Sequence, residues 1–204
     1  MKHKRFDTRR LVLLSVLGAI LLVMSFTPLG YLNIGPLAIS LNMIPVAIAA
    51  VALGPVAGAI LGGIFGFTSF LQCLGIGGIS AMGVILFEIS PVLAFVQRFV
   101  PRVLAGLLAG LVYRGVGKLT GQGVAAFVTG FCAALFNTVL FMLSLVLLFG
   151  NTEYMQGLIA GRNIIVFICA FVGINAVVEM LAATFAVGLV GKALDKANLI
   201  RRKV

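Results

Sequence analysis

Apolar positions in this chain come in long unbroken runs, without the strict alternation of a strand or the one-sided repeat of a surface helix. From Leu11 to Phe87 there is no Asp, Glu, Lys or Arg; further uncharged runs cover Leu119–Thr152 and Asn163–Val178. A helix that crosses a bilayer needs about 20 apolar residues, so the first run is long enough for three crossings. Breakers divide it: Thr27-Pro28-Leu29-Gly30, then Gly54-Pro55, then Gly75-Ile76-Gly77-Gly78. The pattern predicts spans over Leu11–Phe26, Ala38–Leu53 (short, and carrying Pro45), a third starting at Gly54-Pro55, then Pro91–Val116, Gly123–Phe149 and Asn163–Lys192. Tyr31–Leu41 is expected to form an outer loop. Gln72–Ser90 is expected to be an irregular outer loop too.

Composition makes the membrane reading compulsory. Apolar residues make up 62% of the chain and charged ones 10%, with a mean hydropathy of +1.23. A soluble domain carries about 25% charged residues, and disorder demands the opposite balance. The formal net charge of +10 invites a nucleic-acid reading that its placement refuses. Lys2, Lys4, Arg5, Arg9 and Arg10 crowd the beginning; Lys192, Lys196, Arg201, Arg202 and Lys203 crowd the end, and Arg114 and Lys118 mark the middle. Basic residues flanking apolar spans mark the cytoplasmic side, and no aromatic platform accompanies them. Both termini are therefore expected in the cytoplasm, which makes the span count even, and six fits. The expectation is an all-α integral membrane protein with one six-helix domain over residues 1–204. Residues 1–27 resemble a signal peptide, but no small-x-small cleavage site follows, so they read as a retained first span. Cys73, Cys132 and Cys169 form no C-x-x-C pair and are expected to be small buried filler.

Catalytic chemistry is thin. The one histidine is His3, the five acidic residues are scattered, and Gly117-Lys118 continues into Leu119 rather than a phosphate loop. No enzyme, metal or cofactor is expected, and the chain has no means of its own to hydrolyse ATP. Gly54, Gly58, Gly62 and Gly66 recur at i+4, a stripe that lets a neighbouring helix backbone approach closely. Against this background five polar residues stand out. Arg98 and Arg102 share one face of the fourth span, Asn137 sits in the fifth, and Asn175 and Glu179 share a face of the sixth. At 1.5 Å per residue all five fall roughly 20 to 27 Å from the cytoplasmic helix ends. Ionisable groups at that depth are costly, so they should face each other or a hydrated cavity. An internal salt-bridge and amide network is one outcome. The other is a binding site, since two arginines against one glutamate leave a positive charge over, suited to a carboxylate. Asn33, Asn42 and Gln72 are further candidates near the outer face.

These residues resemble the substrate-binding S component of energy-coupling-factor vitamin transporters. The likeness is carried by Leu41-Asn42-Met43-Ile44-Pro45-Val46, by Gly54-Pro55-Val56-Ala57-Gly58 and by Leu61-Gly62-Gly63-Ile64-Phe65-Gly66-Phe67-Thr68-Ser69-Phe70. Pro101-Arg102-Val103-Leu104-Ala105-Gly106, Gly110-Leu111-Val112-Tyr113-Arg114 and Phe136-Asn137-Thr138-Val139-Leu140 are similar to its pantothenate-type branch. The resemblance implies a vitamin-binding subunit of the bacterial plasma membrane. Its implied partners are a transmembrane coupling subunit and two cytoplasmic ATPases, which consume the ATP. It also implies a docking patch of small residues on the first helix, a spacing that Ser15 and Ala19 hold. Pantothenate, with one carboxylate, one amide and two hydroxyls, suits the polar layer. Riboflavin is the runner-up vitamin, because Phe is plentiful although Trp is absent. A stand-alone secondary transporter is a further reading, for which Glu179 is the one protonatable group in the layer.

Overall fold

A computed structural model of the chain describes residues 8–33, 38–161 and 163–197. Among them are eight helices and one short hairpin. Helix α1 (Thr8–Ser25) leads through the Pro28-Gly30 turn into strand β1 (Tyr31–Asn33), which pairs antiparallel with β2 (Ala38–Ser40). Then come α2 (Met43–Leu53) and α3 (Pro55–Leu71), a short 3-10 turn (Gln72–Leu74), α4 (Ala81–Ile89), α5 (Pro91–Thr120), α6 (Gln122–Phe149), α7 (Glu153–Ile159) and α8 (Ile164–Lys196). Five helices are long and apolar enough to cross a membrane: α1, α3, α5, α6 and α8. Helix α2 is apolar but only 11 residues, about 16 Å long. That is half the ~30 Å of a hydrocarbon core.

Two segments differ from the sequence pattern. The second span does not begin at Ala38: Ala38–Ser40 is extended because it pairs with Tyr31–Asn33, in the register Tyr31↔Ser40, Leu32↔Ile39, Asn33↔Ala38. Gln72–Ser90 is not an irregular loop. The glycine cluster ends at Gly78; Ser80 then caps α4 by accepting the Gly83 N–H at 3.2 Å, and the apolar run beyond it coils. The connection after α6 likewise holds α7, capped by Thr152 accepting from Met155 N–H.

The helices reverse direction at each turn, which gathers the hairpin, α4 and α7 at one end of the bundle. At the other end Arg10 donates to the Leu53 carbonyl at 3.1 Å, and the Arg114 guanidinium lies beside Gly54. The interior is built on α2, buried on nearly every side, with α3 and α5 against it. The glycine stripe faces α5: a Cβ on Gly58 would overlap the Gly106 carbonyl, and one on Gly62 the Arg102 carbonyl. Gly106 and Gly110 reciprocate against Gly58 and Pro55. This is the small-residue contact that helices use where no hydrophobic effect drives them together. Outward faces are apolar, with Val139, Leu147, Phe185 and Leu189 all exposed, a surface that lipid covers and water does not. Cys73 is buried and Cys132 half-buried, both as free thiols; the Cys169 side chain lies outside the described residues.

Candidate functional site

A cavity of about 340 Å³ opens at the hairpin end of the bundle. It falls within the ~300–1,000 Å³ range of small-ligand sites. Six of the residues singled out from sequence line it: Gln72, Arg98, Arg102, Asn137, Asn175 and Glu179. The last five expose no more than 8% of their surface. The i+4 spacings place Arg98 with Arg102 and Asn175 with Glu179 on inward faces of α5 and α8, while Asn137 comes in from α6.

The arginines are held by their surroundings and not by the acid. Arg98 reaches Ser80 Oγ with Nη2 at 3.1 Å and Ser69 Oγ with Nη1 at 3.5 Å. Gly83 makes room for this reach, since a Cβ there would stand 3.0 Å from Arg98 Nη2. Arg102 folds back along its own helix, donating from Nη1 to the Arg98 carbonyl at 2.7 Å. Its guanidinium carbon lies 4.7 Å from the Phe65 ring centre and 5.2 Å from that of Phe141. Such faces attract a desolvated cation by up to about 2 kcal/mol. Arg98 also sits over Phe141, at 5.3 Å. The Nε atoms of both arginines are buried without a partner.

Glu179 is engaged elsewhere. Its Oε1 accepts the backbone N–H of Ser40 at 2.6 Å, which ties the hairpin to α8. Among the described residues the hydrogen bonds of the two guanidinia go to serines and a carbonyl, with none to this carboxylate, though Arg102 and Glu179 lie within Coulombic reach. Among the described residues, the positive charge of the two arginines is thus not spent in a hydrogen-bonded ion pair with Glu179. Asn137 Oδ1 is also buried without a partner.

The remaining candidates divide. Gln72 lines the cavity, but its Nε2 donates to the Ser25 carbonyl at 2.9 Å and so closes the C-terminal end of α1. Asn42 is fully buried beneath the hairpin, away from the cavity, with Nδ2 directed at the Gly30 carbonyl at 3.4 Å. Asn33 belongs to β1, and its side chain lies outside the described residues. Ser15 and Ala19 sit on the outward face of α1, on the same helix but remote from the cavity. Sequence reasoning missed Tyr31, Ser40, Ser69, Ser80 and Phe141. A lone serine or tyrosine in a loop carries no signal; only the N-cap position of Ser80, just after the glycines and before an apolar run, was there to be read.

The fold and cavity define a helical membrane protein with a solute-sized polar site near one end of its bundle. The substrate-specific component family of ECF transporters matches residues 9–191, and the chain belongs to that family. It is thus a transport protein, a multi-pass component of the bacterial plasma membrane. Among its relatives, a Pantothenate transporter PanT from Leuconostoc mesenteroides subsp. mesenteroides is 29% identical, over 92% of this chain and 92% of that protein. A Pantothenic acid transporter PanT from Lactococcus lactis subsp. cremoris is 27% identical, over 96% and 98% respectively.

Proposed function

We propose that this chain is the pantothenate-binding subunit of an energy-coupling-factor importer. The observation that carries the reading is the pair of buried arginines lining a small cavity, each with an unpartnered Nε, opposed by a single carboxylate held by the hairpin. Leaving a guanidinium N–H buried and unpaired is costly, and a ligand carboxylate removes that cost by a bidentate contact. The names of the two relatives agree with this chemistry. Arg102 takes the carboxylate, Arg98 supports it, and Asn137 and Asn175 serve the amide and hydroxyls. In this reading α2 and the hairpin together complete a sixth crossing, with both termini in the cytoplasm and the cavity facing outward. A transmembrane coupling subunit and two ATPases supply the energy.

The test uses pantothenate and pantothenol, its carboxyl-reduced alcohol, on purified protein. Wild type should prefer the carboxylate. Arg102→Ala should lose about 2 to 5 kcal/mol for pantothenate, or ~30- to 5,000-fold, and lose the preference. A mutant that keeps the preference refutes the assignment, and tighter binding of riboflavin by wild type refutes the vitamin. Docking is tested separately. Replacing Ser15 and Ala19 together by Leu should abolish uptake in cells holding the partner subunits, with pantothenate affinity changed less than about threefold (~0.7 kcal/mol). Collapse of affinity as well would mean that these residues serve internal packing.

A further inference from the structure

The cavity has a second set of unsatisfied groups that the arginines do not explain. Tyr31 and Ser40 face each other across the hairpin as a register pair, so their side chains leave the same face of the two-stranded ribbon. Both line the cavity. Tyr31 Oη and Ser40 Oγ are each buried and have no hydrogen-bond partner. Two buried hydroxyls on one face of a ribbon, both without partners, are rare in folded proteins. Each hydroxyl is able both to donate and to accept, which matches the demands of another hydroxyl. Ser40 is placed by its backbone: its N–H is committed to Glu179 Oε1 at 2.6 Å, so the side-chain oxygen remains for another contact. That same bond uses only part of the carboxylate's accepting capacity, and Asn137 Oδ1, also unpartnered, lines the same cavity.

We infer that Tyr31 and Ser40, with Glu179 and Asn137 as acceptors, form a hydroxyl-reading subsite that sets the specificity of the cavity. Its ligand class is a small acid whose opposite end carries hydroxyl groups. The inference rests on the carboxylate reading above and adds what recognises the other end of the molecule. A site with buried groups built to pair a hydroxyl rejects the analogue lacking it far more strongly than an apolar pocket rejects an added one, because its own polar atoms are then left stranded. Discrimination thus resides in the hairpin, while the arginines select charge.

The experiment compares three ligands: pantothenate, its dideoxy analogue with both hydroxyls replaced by hydrogen, and pantothenol. Each is titrated against wild type, Tyr31→Phe, Ser40→Ala and Ser40→Thr. Ser40→Ala keeps the N–H that holds Glu179, and Tyr31→Phe keeps the ring, so both variants should fold; a melting curve and retained binding of the dideoxy analogue check this. Wild type should bind the dideoxy analogue about 100-fold more weakly than pantothenate. Tyr31→Phe and Ser40→Ala should each lose about tenfold for pantothenate and less than about threefold for the dideoxy analogue. Ser40→Thr should restore most of the loss, and every variant should still prefer pantothenate to pantothenol. If wild type binds both acids equally, or the variants weaken both acids alike, the hydroxyl subsite is refuted while the carboxylate reading stands. If wild type ignores the carboxylate, both readings fall.

Discussion

Along α5, the stretch Pro91–Arg102 buries Gln97, Arg98 and Arg102, whereas Val103–Thr120 buries Ala105, Gly106, Ala109 and Gly110. The second stretch meets α3 backbone to backbone, and a single Cβ at Gly106 would overlap the Gly58 carbonyl. The first stretch also meets α3 closely, with Gly62 and Gly66 against the backbone of Arg102 and Phe99, but on its other side it carries long polar side chains, several of whose atoms are unpaired. One helix therefore packs on α3 along its length, and only its first stretch also serves a cavity that is incomplete by itself. The junction is Pro101, which lacks an N–H and so leaves the Gln97 carbonyl without its helical donor. Just beyond it, Arg102 turns its guanidinium back onto the Arg98 carbonyl. Close packing fixes the frame, and it fixes the arginine too, because Gly62 rests on the Arg102 carbonyl itself.

This contrast makes the two halves separable by substitution. Arg102→Ala has the largest expected effect, the loss of about 2 to 5 kcal/mol in binding already described, with the bundle still assembled. Gly106→Val should do the reverse. Overpacking a close helix contact costs about 1 to 3 kcal/mol, so the melting temperature in detergent should fall. The fraction that remains folded should keep its preference for pantothenate over pantothenol. If Gly106→Val erases that preference without lowering the melting temperature, the packing half is not a passive frame.

The packing half was legible in the sequence and the polar half only partly so. Glycines at i+4 have one good use between helices in lipid, and the stripe Gly54, Gly58, Gly62, Gly66 runs along α5. Arg98, Arg102, Asn137, Asn175 and Glu179 were visible because ionisable and amide groups are so rare in apolar spans. Spacing along each helix was enough to bring them to one cavity. What depends on contacts between distant segments was not legible. The pairing of Ala38–Ser40 with Tyr31–Asn33 overrode an apolar pattern that read as helix. The bond from Ser40 to Glu179 joins residues far apart in sequence and runs through a backbone N–H, which no residue type announces. Asn42 looked like an outer-face polar group, yet burial under the hairpin gave it a structural task.

The smallest expected effect sharpens the boundary between the two halves. Gln97 lies among the polar residues of α5 but does not line the cavity. Its side chain is completely buried, and neither Nε2 nor Oε1 has a partner. A buried amide in that condition costs about 1 to 3 kcal/mol, and an apolar group of the same shape removes the penalty with little loss of packing. Gln97→Met should therefore stabilise the fold by about 1 kcal/mol, read as a modest rise in melting temperature. Affinity for pantothenate should move by less than about threefold, since the side chain does not line the cavity. A lower melting temperature would show that the amide is paired in the membrane-embedded protein. Loss of affinity at unchanged stability would move the boundary of the site inward, past the arginines and into the core of α5.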